Sequence, residues 1–347
     1  MLRNIEFAEL LAREVGEHEG NKQKACRRAS RAALGWPDEL ADFVAREGKL
    51  TDLPAVGPWV GRLISTWLEE EPEVELGDDA LRRDFLTLAE AKAEIATDPS
   101  WRDALQGDLQ MHTVSSDGSL PVQAMAMHCV ELDYSYIAVT DHSKGLRIAG
   151  GMDEAELARQ GREIDEVNRV FESSGHDFRV LRSIEMNISP NGEGDMEPDA
   201  LGELDLVLGS FHSQLRKKED QTDRYLAAIR NPHVHVLGHP RGRQWNFRLG
   251  LWCDWERLFA EAAALDKAVE IDSHPNRQDL NVELLELTRE AGVRISIGTD
   301  AHYQPELLFI DIGVAAAMRA GIPKDRIINF LPVEELLEWT GELKARV

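Results

Sequence analysis

The chain has few cysteines and no long apolar run, and each scarcity excludes a class of protein. Its three cysteines, Cys26, Cys129 and Cys253, are far apart and odd in number. They predict neither a disulfide framework nor a cysteine-based zinc site, and we expect a reducing, cytoplasmic environment. No apolar stretch approaches the roughly 20 residues that a membrane helix needs, so no membrane partner is expected. The acidic, helical pattern at the start of the chain is unlike a secretory signal.

Basic residues are also in short supply. The chain has 39 Lys and Arg against 63 Asp and Glu, a formal net charge of -24. This balance argues against a surface that binds nucleic acid over most of its area. The deficit is uneven, because residues 1–62 contain ten basic and ten acidic residues. Several basic residues cluster on one predicted helix in this part, among them Lys24 and Arg28. We interpret the cluster either as a solvated helix face or as a DNA contact made by these two residues.

Residues 1–70 predict a small all-α domain. Apolar residues at helical spacing indicate helices over 5–15, 22–34 and 38–47. The following Leu-Pro-Ala-Val-Gly-Pro-Trp-Val-Gly, residues 53–61, has the pattern of a helix-hairpin-helix. A glycine turn permits close approach of another backbone, and the second helix offers free N–H groups to a phosphate. We therefore expect Gly57, Trp59 and Gly61 to contact a DNA backbone without sequence preference; the alternative is an ordinary helical turn.

The rest of the chain alternates short apolar strands with longer helices. An acidic linker and one helix, predicted over 80–96, occupy 71–106, and a third segment covers 107–347. The strands predicted in this third segment are 108–112, 136–140, 180–187, 204–211, 234–238, 268–272 and 294–299. Repeated strand–helix units predict an α/β fold with a parallel sheet that is buried on both faces. The pattern alone fits either an open, doubly wound sheet or a closed barrel.

Histidines and carboxylates stand at the ends of six of the seven predicted strands. These residues are His112, Asp117, His142, Glu185, His212, His239, Asp300 and His302. Active sites of α/β barrels lie at the C-terminal ends of the strands, and a closed rim can bring all eight side chains to one point, which favours the barrel. Five imidazoles and three carboxylates are too many for one ion. They suit a cluster of two or three divalent cations.

Four neighbouring residues are candidates for direct roles in catalysis or substrate binding. Asp141 precedes His142 and is interpreted either as a carboxylate that orients a ligand imidazole or as a cap at the end of the strand. Lys144 and Arg147 follow closely, and Arg277 lies just beyond the sixth predicted strand. We expect these three cations to contact a substrate phosphate, with Arg147 also a candidate catalytic group; the alternative is that they are ordinary exposed loop residues.

Several separate motifs, in this order, resemble those of the polymerase and histidinol phosphatase (PHP) superfamily. The motifs are Gly-Asp-Leu-Gln-Met-His with the later Ser-Asp-Gly, Ala-Val-Thr-Asp-His-Ser, Gly-His-Pro and Gly-Thr-Asp-Ala-His. The chain from about residue 107 onward is similar to the C-terminal PHP domain of bacterial family X DNA polymerases. Residues 1–70 are similar to the helix-hairpin-helix domain of the same polymerases. The resemblance implies a distorted (β/α)7 barrel with up to three metal ions.

The resemblance also implies how the ligands are shared. It assigns His112, Glu185 and Asp300 to the first ion, Glu185, His212 and His239 to the second, and Asp117, His142 and His302 to the third. Members of the superfamily usually have a histidine two residues before His112, where this chain has Gln110. An amide is a poorer ligand than an imidazole, so we expect Gln110 to leave the first ion weakly bound or with an extra water.

The resemblance implies metal-dependent hydrolysis of phosphate esters without a serine or cysteine nucleophile. We expect a DNA repair phosphoesterase of the 3′–5′ exonuclease, 3′-phosphatase or abasic-site endonuclease type that uses two or three Mn²⁺, Zn²⁺ or iron ions. One alternative is a small-molecule phosphatase acting on histidinol phosphate or a nucleotide. Another is a non-catalytic DNA-binding module. About 40 residues separate the helical segment from the barrel, too few for a polymerase palm, so no nucleotidyl transfer is expected. Residues 59–81 contain no lysine, so we expect no Schiff-base lyase activity either.

Overall fold

A computed structural model describes residues 1–77 and 79–346 of the chain. Asp78, in the predicted acidic linker, and Val347, the end of the predicted third segment, lie outside the described residues. Within the described part, no helix is both long enough and apolar enough to cross a membrane.

Seven parallel strands follow one another around the sheet in chain order. They are β1 (Gly107–Asp108), β2 (Tyr136–Val139), β3 (Arg179–Asn187), β4 (Leu206–Ser210), β5 (Val236–Gly238), β6 (Ala268–Asp272) and β7 (Arg294–Gly298). The segments beyond β1 and β7 also pair, since the His112 amide donates to the Ala301 carbonyl at 2.8 Å and the Asp300 amide to the Gln110 carbonyl at 3.0 Å. The sheet therefore closes on itself, which confirms the (β/α)7 barrel over the open sheet.

Helices lie before, around and after the barrel. They are α1 (Asn4–Glu17), α2 (Gly20–Leu34), α3 (Leu40–Ala45), α4 (Pro58–Glu70), α5 (Leu88–Ile95), α6 (Ser100–Asp103), α7 (Val122–Glu131), α8 (Glu154–Ser174), α9 (Pro198–Gly202), α10 (Thr222–Arg230), α11 (Trp255–Ala264), α12 (Val282–Ala291), α13 (Ile310–Arg319) and α14 (Val333–Lys344). Short 3-10 helices occur at Leu50–Asp52, Ala80–Arg82, Arg147–Ala149, Gln304–Phe309, Lys324–Arg326 and Ile328–Phe330.

The strands have two buried faces because their side chains alternate between the barrel interior and the surrounding helices. In β2, Ile137 and Val139 pack outward against the helical layer, whereas Tyr136 and Ala138 point inward. At the N-terminal end of the barrel, α14 covers the interior, and the Trp339 indole donates to the Asp266 carbonyl at 2.9 Å. The apolar packing therefore closes one end and leaves the C-terminal rim for polar groups.

The N-terminal helices have an apolar core of their own, and a barrel loop enters it. Trp245, from the loop after β5, is 1% exposed and packs in this core together with Phe7, Leu11 and Trp36. Its indole nitrogen donates to the Ser30 hydroxyl of α2 at 2.8 Å. The helical region is thus attached to the C-terminal rim of the barrel. The division of the chain at residues 70 and 106 stays a prediction.

The prediction of one helix over 80–96 is wrong. The α-helix begins only at Leu88, because Thr87 and Glu90 form a reciprocal capping box that fixes the N-terminus there. Ala80–Arg82 is a separate 3-10 turn. The first strand is also shorter than predicted and ends at Asp108, although the chain continues beside the segment after β7 as far as His112.

Candidate metal centre

All eight histidines and carboxylates predicted as ligands lie at the C-terminal rim of the barrel. Glu185 is on β3 itself, and the others follow β1, β2, β4, β5 and β7. Seven of the eight, all except His239, offer ligand atoms that form three overlapping groups, and within each group these atoms lie within 4.8 Å of one another. The groups are His112, Glu185 and Asp300; His142, Glu185 and His212; and His112, Asp117, His142 and His302.

The first group is the set that the resemblance assigns to the first ion. His112 Nε2 lies 2.9 Å from Asp300 Oδ1 and 3.7 Å from Glu185 Oε2, and all three residues are buried. Burial alone would raise the pKa of Asp300, but the positive charge of Arg277 and then the hydrogen bond with His112 hold this pKa well below its usual range. The carboxylate is therefore ionised, as a metal ligand must be.

Glu185 is the centre of the second group. His239 Nε2 lies 2.6 Å from Glu185 Oε1, His212 Nε2 lies 3.2 Å from the same oxygen, and His142 Nδ1 lies 2.8 Å from Oε2. Burial would raise the pKa of Glu185, but these three histidines lower it well below the usual range. The geometry suits a bridging carboxylate, although the close group contains His142 where the resemblance placed His239.

The third group surrounds Asp117. Its Oδ1 lies 3.3 Å from His302 Nε2 and 3.6 Å from His142 Nε2, as the resemblance implies. His112 Nδ1 is also within 3.9 Å, so the structure shares His112 between the first and third groups. Asp117 is the most exposed of the eight and faces the rim opening.

The donor atoms fit divalent cations. Imidazole nitrogens and carboxylate oxygens are the ligands that zinc and similar ions prefer in proteins. Six of the eight residues have a buried atom without a well-directed hydrogen bond among the described residues. These atoms are His112 Nδ1, His142 Nδ1, Glu185 Oε2, His212 Nε2, His239 Nδ1 and Asp300 Oδ2. Buried polar atoms normally have partners, so this concentration at one point is typical of a metal site.

Gln110 was predicted as a weak ligand of the first ion, but the structure gives its amide another partner. The amide faces the Glu270 carboxyl group, and with the amide turned, its nitrogen donates to the two Glu270 oxygens at 2.7 and 3.1 Å. Glu270 Oε2 also accepts the His239 amide hydrogen at 2.7 Å. Gln110 therefore links Glu270 to the rim. Glu270 was not among the predicted site residues, although acidic residues alternate in the apolar Ala-Val-Glu-Ile-Asp of β6 and so share its inner face.

Asp141 supports a loop, and its hydrogen bonds within residues 1–77 and 79–346 include none to an imidazole. Its carboxylate accepts hydrogen bonds from the Thr113 amide at 2.8 Å and hydroxyl at 2.6 Å, from the Ser116 hydroxyl at 2.5 Å and from the Gln160 amide at 2.5 Å. The interpretation as a strand-end cap agrees with these contacts. Asp141 thereby holds the segment between His112 and Asp117.

The three candidate phosphate-binding cations have different surroundings. Arg277 lies in the site, with Nη2 3.1 Å from Asp300 Oδ2 and Nη1 3.6 Å from Asp272 Oδ2. Lys144 is half-exposed, and its Nζ atom forms an ion pair with Glu154 Oε1 at 2.6 Å, so its charge already has a partner. Arg147 is exposed in a 3-10 turn and forms no side-chain hydrogen bond or ion pair with any residue of 1–77 or 79–346.

The candidate DNA contacts lie on the helical region. Lys24 and Arg28 are exposed on α2, and Gly57 is the exposed residue that precedes α4. Trp59 is half-buried, with its ring 5.1 Å from that of His18. Gly61 is buried within α4, where a Cβ would lie at an ordinary contact distance of 3.8 Å from Leu50 and Val56.

Known proteins were compared with this chain. No family model matches it. The chain is 37% identical over 226 residues to "DNA polymerase/3'-5' exonuclease PolX" of Bacillus subtilis, a match covering 65% of this chain and 39% of that protein. It is 27% identical over 250 residues to a "Probable phosphatase" of Acetivibrio thermocellus, a match covering 69% of this chain and 97% of that protein. A "Probable phosphatase" of Caldicellulosiruptor bescii is 30% identical over 159 residues, a match covering 43% of this chain and 64% of that protein.

Among solved structures, histidinol phosphate phosphatase of Lactococcus lactis, complexed with zinc, L-histidinol and phosphate, aligns with 70% of this chain and 93% of its own. The sequence identity is 13% and the TM-score 0.39. The chain spans 39% of the polymerase, and a match of 226 residues is longer than the segment before the barrel, so it includes barrel residues. The motifs, the closed seven-stranded barrel and the candidate ligands at its rim agree with the resemblance of this chain to the PHP superfamily.

Proposed function

We propose that the chain is a DNA phosphoesterase of the exonuclease, 3′-phosphatase or abasic-site endonuclease type, active in DNA repair with Mn²⁺ as its metal. The observation that carries the proposal is the three-part ligand cluster at the barrel rim beside an attached helical region whose first 62 residues have no net charge. The 37% identity to a protein named polymerase and 3′–5′ exonuclease supports DNA as the substrate.

The chain's own residues would place the phosphate. Divalent ions, when bound, supply an activated water and neutralise phosphate charge. Asp141 fixes the loop that carries Asp117, and Glu270 holds the His239 backbone in position. Arg277 is the fixed cation beside Asp300, and its guanidinium can donate to a phosphate oxygen at the edge of the cluster.

We assign the helical region to the DNA backbone. The N-terminal amides of α4, after Gly57, suit a phosphate, and Lys24 and Arg28 add positive charge on α2. The ammonium group of Lys22 lies 5.3 Å from the ring centre of Trp59, so a further positive group lies beside the turn. These contacts recognise no base and predict binding without sequence preference.

A small-molecule phosphatase is the second candidate. Several relatives are named probable phosphatases, and the chain covers 97% of one of them against 39% of the polymerase. A metal cluster of this kind can hydrolyse either ester. The substrate is therefore decided by what surrounds the cluster.

The test compares two substrates with one preparation. We expect the full chain with Mn²⁺ to degrade 3′-labelled and 5′-labelled single-stranded oligonucleotides, and chelation to stop the reaction. The double variant His142→Ala/His212→Ala should lose this activity, because two of the clustered imidazoles are gone. Turnover of para-nitrophenyl phosphate alone would instead establish the small-molecule phosphatase. Substitutions are preferable to deletion of residues 1–70, because deletion would expose Trp245.

A further inference from the structure

A tight turn after β5 presents a phenylalanine to solvent. Residues 244–248 form a hairpin in which the Gln244 amide donates to the Arg248 carbonyl at 2.9 Å, and Phe247 at its tip is 44% exposed. The turn is held on both sides, because the Trp245 amide donates to Asn276 and the Asn246 amide to the Leu81 carbonyl, at 2.8 and 3.0 Å. The ring therefore cannot retreat into the core, so its exposure is built into the fold.

Three arginines surround this ring. The guanidinium carbon lies 4.7 Å from the ring centre for Arg216, 5.8 Å for Arg31 and 5.9 Å for Arg248. They come from three different elements: the loop after β4, helix α2 and the turn itself. We call these three residues and Phe247 the arginine–phenylalanine patch. Cation–π contacts of this length hold the guanidinium groups around the ring.

The arginines of the patch have no carboxylate within ion-pair distance in the described part of the chain, although the charge of Asp279 acts on Arg248. Within the described residues, none of the three arginines forms an ion pair, in a chain with 24 more acidic than basic residues. Burial, and then the charges of Arg277, Arg216 and Arg31, lower the pKa of Arg248. The Nε atom of Arg31 is buried without a hydrogen-bond partner among the same residues. An anionic ligand would relieve the repulsion among the arginines.

The patch connects the predicted DNA contacts with the metal centre. Lys24, Arg28 and Arg31 follow one face of α2 at spacings of four and three residues. In the other direction, the loop that carries Arg216 begins with the ligand His212, and Arg277 lies against Asp300. Positive groups thus extend from the exposed helix face to the rim of the barrel.

We infer that the arginine–phenylalanine patch binds single-stranded DNA, with an unpaired base stacked on Phe247 and the adjoining phosphates held by the arginines. The inference rests on the proposed function and adds the form of its substrate. An exposed aromatic ring among arginines is the combination that recognises single strands, because every unpaired base offers a flat face and every linkage a negative charge. A duplex keeps its bases stacked on one another and leaves Phe247 without a base.

The experiment measures kcat/KM of the full chain on a single-stranded oligonucleotide, on the matching duplex and on para-nitrophenyl phosphate. Phe247→Ala should lower the single-strand value about tenfold, mainly through KM, because one base–ring stack is lost. Phe247→Tyr keeps a ring and should retain the activity. Arg216→Gln should reduce the slope of log kcat/KM against log salt by about 0.7, the loss of one phosphate contact.

Two controls separate binding from folding. Arg169→Gln removes an exposed arginine near the end of α8, at the opposite end of the barrel, and should change neither the single-strand value nor the salt slope. Hydrolysis of para-nitrophenyl phosphate should be unchanged in every variant, which shows that the metal centre is intact. A variant with lower turnover of this ester would be misfolded. If Phe247→Ala is misfolded, the Phe247→Tyr and Arg216→Gln results decide whether the patch binds single-stranded DNA.

The inference and the proposed function fail in different ways. If the unaltered chain degrades the oligonucleotide but Phe247→Ala and Arg216→Gln match it in rate and salt slope, the patch is not the binding site. An equal loss for single strand and duplex would likewise overturn the stacking on Phe247. If the unaltered chain hydrolyses only para-nitrophenyl phosphate, the DNA function itself is wrong.

Discussion

Trp245 joins the helical region to the barrel, and its removal should destabilise both. The indole is 1% exposed among residues of the N-terminal core, although the chain places it in a barrel loop. Truncating a buried aromatic side chain to alanine costs about 3–5 kcal/mol, which includes the cavity that remains. The bond from the indole to the Ser30 hydroxyl adds about 1 kcal/mol. Ser30 keeps its own bond to the Ala8 carbonyl, so no donor is stranded on α2.

We therefore expect Trp245→Ala to lower the free energy of unfolding by about 4 kcal/mol. The unfolding entropy grows by roughly 2 cal/mol/K for each residue, so in a chain of 347 residues this loss should lower the Tm by about 5 °C. Thermal unfolding followed by circular dichroism and by fluorescence would measure it. Trp245→Phe keeps most of the buried area and should lose only about 1 kcal/mol.

Leu249→Ala is the matched control, because Leu249 lies in the same loop but is 49% exposed. It should change the unfolding free energy by less than about 0.5 kcal/mol. A Trp245→Ala protein with the Tm of the control would refute the reasoning, since it would mean that the indole does not stabilise the contact between the two regions. Separate unfolding of the two regions in the unaltered chain would refute the coupling.

Two further predictions concern buried charges away from the ligands themselves. Asp141→Ala leaves the donors of Thr113, Ser116 and Gln160 unpaired and frees the loop that carries Asp117. Metal affinity, measured by titration of the metal-free protein, should therefore fall about 10-fold to 100-fold. Unchanged affinity would show that the loop needs no such support. Lys267 is buried at the start of β6, and burial, and then Arg346, lower its pKa to about 8 from 10.5. Since the unfolded chain binds the proton more tightly, this lysine destabilises the fold below pH 8, and the cost disappears as the pH rises towards 10.5. The difference in unfolding free energy between the unaltered chain and Lys267→Met should therefore change by roughly 3 kcal/mol from pH 7 to pH 10.5, in favour of the unaltered chain. A difference that does not depend on pH would contradict the lowered pKa of Lys267.

The barrel and the gathering of the candidate ligands at its rim were predictable because their signals are local. A short apolar run followed by a histidine or carboxylate marks a strand end, and parallel strands direct all their ends to one rim. Glu185 is an example, because this residue at the end of a predicted strand lies at the centre of a group with three histidines. The resemblance to a known superfamily supplied the sharing of ligands among ions, which the residue types alone do not determine.

The remaining features depend on contacts between distant parts of the chain. Glu270 pairs with Gln110 across the barrel, and only the closed sheet shows that these two residues are neighbours. Trp245 has the sequence context of an ordinary loop residue, and its burial depends on α2, more than 200 residues earlier. The capping box at Thr87 was a local signal that the helical periodicity of 80–96 concealed.

The candidate metal centre cannot by itself explain which ester this chain hydrolyses, because proteins similar to this chain are named both exonuclease and phosphatase. The difference must lie in the surroundings of the rim, and here these are the helical region and the turn that it holds. Trp245 anchors that turn, and Phe247 and Arg248 are its exposed end. If the turn selects DNA, Trp245→Ala should impair degradation of single-stranded oligonucleotides more than hydrolysis of para-nitrophenyl phosphate at a temperature where the variant is folded. An equal loss on both substrates would mean that the anchor serves only stability, and that substrate choice lies elsewhere on the rim.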